Sequence, residues 1–111
     1  MKLTIREYVT EQGACPFRSW LDGLDTKARA RIQARALRFE TGNLGDHKAV
    51  GGGVYEARCP FGPGYRIYFA KADTAIVLLL VGGDKASQRR DIRQARRFWG
   101  EYQEATHHGT T

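Results

Sequence analysis

Seven consecutive apolar residues, Ala75 to Val81, constrain most strongly how this chain can fold. The run is far short of the roughly 18 residues of a membrane-spanning helix. It shows no alternation either, so the stretch Thr74 to Val81 reads as a central strand covered on both faces. Two segments before it, Val54 to Cys59 and Tyr65 to Ala70, alternate apolar and polar residues as half-buried strands do. Phe61-Gly-Pro-Gly64 joins the first pair and Lys71-Ala-Asp73 the second, both at hairpin length. Gly82-Gly83-Asp84 ends the sheet. Leu3 and Ile5, alternating with Lys2, Thr4 and Arg6, make Met1 to Tyr8 a further strand.

Helical signals surround these strands. Pro16 suits the first position of a short helix, Pro16 to Leu21. Asp25 is a good N-cap for a second helix from about Thr26 to Glu40, with Gly42 as its stop. Its stripe Ala28, Ile32, Ala36 and Phe39 faces a core, and Lys27, Arg31, Arg35 and Arg38 form a neighbouring basic ridge. Asn43 to Gly53 holds Gly45, Gly51, Gly52 and Gly53 and reads as a loop that places Lys48 near a ligand. Ser87 or Asp84 caps a last helix to about Tyr102, with Ile92, Ala95, Trp99 and Tyr102 inward. Arg89, Arg93, Arg96 and Arg97 form a second ridge on its opposite side. The expected fold is α+β: a small, twisted, antiparallel-rich sheet of about four strands, two N-terminal helices and one C-terminal helix. Residues 1–104 form one domain, and 105–111 are expected to be a disordered tail.

At 111 residues, one domain can bury a core without staples. The charged start Met-Lys-Leu-Thr-Ile-Arg-Glu does not suit a secretory segment, so the expected location is cytoplasmic. Cys15 and Cys59 are too few for a disulfide framework and lack the spacing of a metal pair. A formal charge of +6 suggests a polyanionic partner.

Strand parity gathers the chemistry. If the segments 54–59 and 65–70 pair, Glu56, Arg58, Arg66 and Tyr68 share one sheet face, with Lys85 at the end of the neighbouring strand. Guanidinium forks bind phosphate oxygens and stabilise the charge of a pentacovalent phosphorus. Such a site suits RNA cleavage without metal: a 2′-hydroxyl attacks, Glu56 is the candidate base, and Lys85 or Tyr68 is the acid or electrostatic help. The competing reading is a structural salt-bridge cluster. His47, His107 and His108 stand outside this group, and neither a metal nor a cofactor is expected.

Three segments carry a family resemblance: Gly53-Val-Tyr-Glu-Ala-Arg-Cys-Pro-Phe-Gly-Pro-Gly-Tyr-Arg-Ile-Tyr-Phe, Ile76-Val-Leu-Leu-Leu-Val-Gly-Gly-Asp-Lys85, and Asp91-Ile-Arg-Gln-Ala95. In this order they resemble the RelE/ParE toxin superfamily, in its HigB-like, phage Gp49-related addiction module killer branch, over about residues 1–103. The resemblance implies the toxin of a type II toxin–antitoxin pair, with a cognate antitoxin of helix-turn-helix type. For RelE-like members it implies cleavage of mRNA on the ribosome; for ParE-like members, poisoning of DNA gyrase without chemistry. A degenerate toxin that only binds its antitoxin is a third form. Arg66 matches the phosphate-contacting arginine of the family, Arg58 a basic residue on the preceding strand, and Lys85 a basic residue after the last strand. Glu56 stands where the RelE pattern has lysine, and Arg89, Arg90 and Asp91 occupy the stretch where a catalytic tyrosine is expected. On this reading the ridges Lys27/Arg31/Arg35/Arg38 and Arg89/Arg93 face ribosomal RNA or the antitoxin.

Overall fold

The computed structural model describes residues 2–108, and the fold is α+β. Strands β1 (Thr4–Glu7), β2 (His47–Gly51), β3 (Val54–Arg58), β4 (Arg66–Asp73) and β5 (Ile76–Gly83) form one sheet in the order β1-β5-β4-β3-β2. β1 runs parallel to β5, and the other neighbours are antiparallel. Helices α1 (Pro16–Asp22) and α2 (Thr26–Leu37) precede β2, and α3 (Gln88–His108) follows β5.

The sheet is a middle layer. On one side Phe17 and Leu21 of α1, Ile32 of α2 and Phe39 pack with Ile67, Phe69 and Leu79. On the other, Ala95, Phe98 and Trp99 of α3 pack with Val54, Tyr68, Leu78 and Leu80. The uninterrupted apolar run is explained: β5 lies between β1 and β4 with helices over both faces. Gly82 belongs to the same arrangement, because a Cβ there would fall on the Trp20 ring.

Helix boundaries follow the expected caps. Asp25 accepts the Ala28 amide at 2.8 Å, and Gly42 takes a left-handed φ of 83° after a 3-10 turn, Arg38–Thr41. The expected helix to Glu40 is therefore an α-helix to Leu37 completed by that tighter turn. At α3, Asp84 Oδ1 accepts the Ser87 amide at 3.2 Å while Ser87 Oγ faces the Asp84 amide at 3.3 Å, so both residues form the cap.

Three expectations are corrected. The sheet has five strands, because 47–51, expected as loop, pairs with β3 at an edge. An edge strand gains its main-chain bonds from β3, and its mostly exposed residues carry no alternation for a sequence to show. Gly51, Gly52 and Gly53, at φ of 96°, 65° and 88°, make the turn into β3. Next, β4 continues through Lys71 and Ala72 to Asp73, and the turn is at Thr74–Ala75, where Asp73 Oδ1 accepts the Ala75 amide at 2.7 Å. Finally, α3 passes Tyr102 and takes in 105–108 of the expected tail; 109–111 lie outside the described residues.

Glu7, at the end of β1, accepts Arg18 Nε at 3.2 Å and Cys15 Sγ at 3.3 Å, and the guanidinium holds its carboxyl below the ordinary value of 4.5. Such a carboxyl stabilises the fold above its unfolded pKa and loses that contribution as pH falls through the folded one. Arg18→Ala is expected to lower stability by no more than about 1 kcal/mol at neutral pH and to match the parent near pH 2. Calorimetric melts across that range check this.

Both cysteines are free. Burial raises the Cys59 thiol to about 11 and also raises that of half-buried Cys15. At pH 8 we expect iodoacetamide to label Cys59 in denaturant and not in the native protein, as read by mass spectrometry. Prompt native labelling of Cys59 contradicts that placement.

Candidate functional site

The register of β3 and β4 brings the expected residues together. Glu56 pairs across from Tyr68 and Arg58 from Arg66, so all four share the sheet face that α3 covers. Arg58 and Arg66 form the last pair before the 59–65 connection, at the end of the sheet where α3 begins.

Glu56 is fully buried at the centre of this group. Its Oε2 accepts the Tyr68 hydroxyl at 3.0 Å and the Gln88 side-chain amide at 2.8 Å. Arg66 Nε lies 3.5 Å from the same oxygen, and Arg58 Nε lies 3.9 Å from Oε1. Tyr68 has no exposed surface, and burial followed by the Glu56 charge raises its phenol far above the ordinary value. These facts correct the proton-transfer roles expected for Glu56 and Tyr68. A general base or acid must reach the substrate hydroxyl, and the packed first turns of α3 keep both side chains from solvent. The cluster is thus in part the salt-bridge network that was the competing reading.

The cations are outward of it. The Arg58 side chain is 48% exposed and that of Arg66 11%. Arg66 Nη1 donates to Gly64 O at 2.7 Å. Gly64 has φ of 79°, and a Cβ there would lie 3.2 Å from Arg66 Nη1 and 3.4 Å from Lys85 Cβ. The left-handed φ favours glycine here, and a Cβ would press on the Arg66 guanidinium. The Lys85 amide faces Pro63 O at 3.4 Å, and its side chain is exposed. A concavity of about 490 Å³ opens along the start of α3, lined by Lys85, Gln88, Arg89 and Arg93 among others and by no carboxylate. Arg58 and Arg66, paired at the strand ends, thus lie at the end of the sheet where the Lys85 stem meets the Gly64 turn, and Lys85, Arg89 and Arg93 line the adjacent concavity along α3. The arrangement suits the non-bridging oxygens of a phosphodiester.

The α2 ridge divides. Lys27, Arg31 and Arg38 are exposed, and Arg31 lies 4.1 Å over the Phe61 ring. Arg35 is only 4% exposed and is corrected from a nucleic-acid contact to an internal clamp. Its Nε donates to Arg58 O at 3.1 Å and its Nη2 to Leu44 O at 2.6 Å. Three turns of ridge at i,i+4 spacing drift around the helix, and Arg35 falls where the 44–46 segment crosses. Lys48 is on β2 opposite Glu56, exposed at the sheet edge rather than in a loop.

Gln88 was missed. Nothing in the sequence marks an amide in the first turn of α3 as the partner of a carboxylate 32 residues earlier. Its spacing of three from Lys85 was the one available signal. Among the described residues, no group of three His, Cys, Asp or Glu side chains could hold a metal, and no helix is long and apolar enough to cross a membrane.

No protein-family model matches the chain. A protein of Haemophilus influenzae (strain ATCC 51907 / DSM 11121 / KW20 / Rd), described as an uncharacterized protein, is 46% identical over 81 residues, which is 72% of this chain and 82% of that protein. The chain belongs to the same family as that protein.

Proposed function

We propose that this chain is the toxin of a type II toxin–antitoxin pair, of RelE/ParE type in its HigB-like branch, and a metal-independent endoribonuclease that cleaves mRNA on the ribosome. The observation that carries the reading is the pairing of Arg58 and Arg66 at the end of the sheet, beside a carboxylate-free concavity lined by Lys85, Arg89 and Arg93. In the reaction, the 2′-oxygen bonds to phosphorus, the bond to the 5′-oxygen breaks, and the 2′ proton passes to water. The arginines stabilise the extra negative charge, and the Lys85 ammonium donates the proton that the leaving oxygen takes up. Lys27, Arg31, Arg38, Lys48, Arg89 and Arg93 supply sequence-independent contacts to ribosomal phosphates or to a helix-turn-helix antitoxin. On this reading the chain works in the cytoplasm, beside translating ribosomes.

A second reading has one observation in its favour. With Glu56 and Tyr68 buried, the cluster offers neither an exposed carboxylate nor an exposed phenol to take the 2′ proton. That would suit a ParE-like poison of gyrase, or a chain that only binds its antitoxin. Induced expression separates the three. The nuclease reading expects incorporation of labelled amino acids to stop before DNA synthesis does, with relief on co-expression of the antitoxin. Early arrest of DNA synthesis supports the gyrase poison, and unimpaired growth the binding-only form.

A further inference from the structure

We propose that Glu56 is a positioning residue: it fixes Arg58, Arg66 and the first turn of α3 as one cationic rim, so that phosphate binding depends on a carboxylate that never touches phosphate. The inference rests on the phosphate-binding reading above and goes beyond it. A fully buried carboxylate is costly unless paired, and two apolar side chains could fill the same space. Here its partners come from three elements: Tyr68 on β4, Arg58 and Arg66 on the two strand ends, and Gln88 on α3. The last bond ties the turn that carries Lys85 and Arg89 to the strands that carry the two arginines.

The geometry at Arg66 shows what the pairing does. Nε faces Glu56 at 3.5 Å and Nη1 is bound to Gly64 O at 2.7 Å. Nε and Nη2 both lack a hydrogen bond among the described residues, but Nε is buried and Nη2 is not, so Nη2 is the corner of the fork left for a ligand. Glu56 also leaves Oε1 without a hydrogen bond, facing the more exposed Arg58 at 3.9 Å. The charge thus acts on both guanidinium groups from behind, on the side away from solvent.

Glu56→Gln gives a test whose sign is decisive. The substitution keeps the shape and raises the net charge by one. If Glu56 merely offset nearby cations, a polyanion would bind more tightly. If it positions them, binding weakens although the protein is more positive. The measurement is fluorescence anisotropy of a short labelled single-stranded RNA, titrated at several salt concentrations. We expect Glu56→Gln to bind about tenfold more weakly. We also expect the slope of log K against log salt to become shallower by about 0.7, the loss of one phosphate contact on a single strand. Gln88→Ala, which removes one of the two hydrogen-bond donors to Glu56 and leaves the sheet ladder intact, is expected to bind about threefold more weakly and to melt several degrees lower while still folding. Equal or tighter binding by Glu56→Gln overturns the proposal. If that variant does not fold, unchanged affinity in Gln88→Ala overturns it instead. Arg66→Ala separates the two levels. Lost affinity there with none lost in Glu56→Gln removes the positioning role alone, and undiminished affinity in Arg66→Ala removes the phosphate-binding reading with it.

Discussion

Arg66→Ala is expected to slow mRNA cleavage about a hundredfold in a translating extract, the scale seen when one preorganised donor to a developing charge is removed. The expectation follows from where Arg66 is held. Its strand position opposite Arg58 is fixed by the β3–β4 ladder and its Nη1 by the Gly64 carbonyl, while Nε lies 3.5 Å from the Glu56 carboxylate as an ion pair without a hydrogen bond. A guanidinium held by one hydrogen bond and one buried charge needs little reorganisation when charge appears on phosphorus. Arg38→Ala removes an exposed cation of the α2 ridge and is expected to raise the concentration needed for half-maximal cleavage severalfold, leaving the rate at saturation unchanged. Quantified cleavage time courses at a series of toxin concentrations distinguish these outcomes. Equal loss of saturating rate in both variants would mean that Arg66 is one more surface cation.

The second large effect is on stability. Arg35→Ala is expected to cost about 3 kcal/mol, because it strips the Arg58 and Leu44 carbonyls of a charged donor and opens space under the 44–46 segment. For a chain of this size that is a fall in melting temperature of roughly 10–15 °C. Burial lowers the pKa of this guanidinium, as expected for a cation held among backbone carbonyls rather than against a carboxylate. Arg31→Ala and Arg38→Ala, one turn to either side, are expected to stay within about 1 kcal/mol of the parent, since Arg31 loses chiefly its contact with the Phe61 ring. Thermal denaturation of the three variants checks the split. A stable Arg35→Ala would return that residue to the surface ridge.

The contrast between Arg35 and its neighbours shows where sequence reading stops. Helical phase grouped four cations correctly by angle, but whether a cation at the margin of a ridge meets water depends on what crosses it. Residues 44–46 come from a loop whose path no periodicity records. Strand parity fared better. It assigned Glu56, Arg58, Arg66 and Tyr68 to one face, and the β3–β4 register agrees at every pair. Parity says nothing of what lies over a face, however, and α3 lies over this one. Glu56 and Tyr68 are therefore interior, while Arg58 and Arg66, one pair nearer the strand ends, emerge beside the start of the helix. The parallel pairing of β1 with β5 was likewise invisible, because a four-residue strand of half-buried alternation does not state its direction. The apolar run at 75–81 was the most legible element. Its lack of alternation required cover on both sides, and that requirement placed the sheet between two layers of helix.

The central claim is that the rim of Arg58, Arg66 and Lys85 acts on the phosphodiesters of translated mRNA. Primer extension on an mRNA translated in vitro with the purified protein tests it most directly. The expected result is a set of cuts in phase with the codons, present when ribosomes translate the message and lost with Arg66→Ala. Intact mRNA under those conditions, together with gyrase-dependent breaks in DNA, would contradict it.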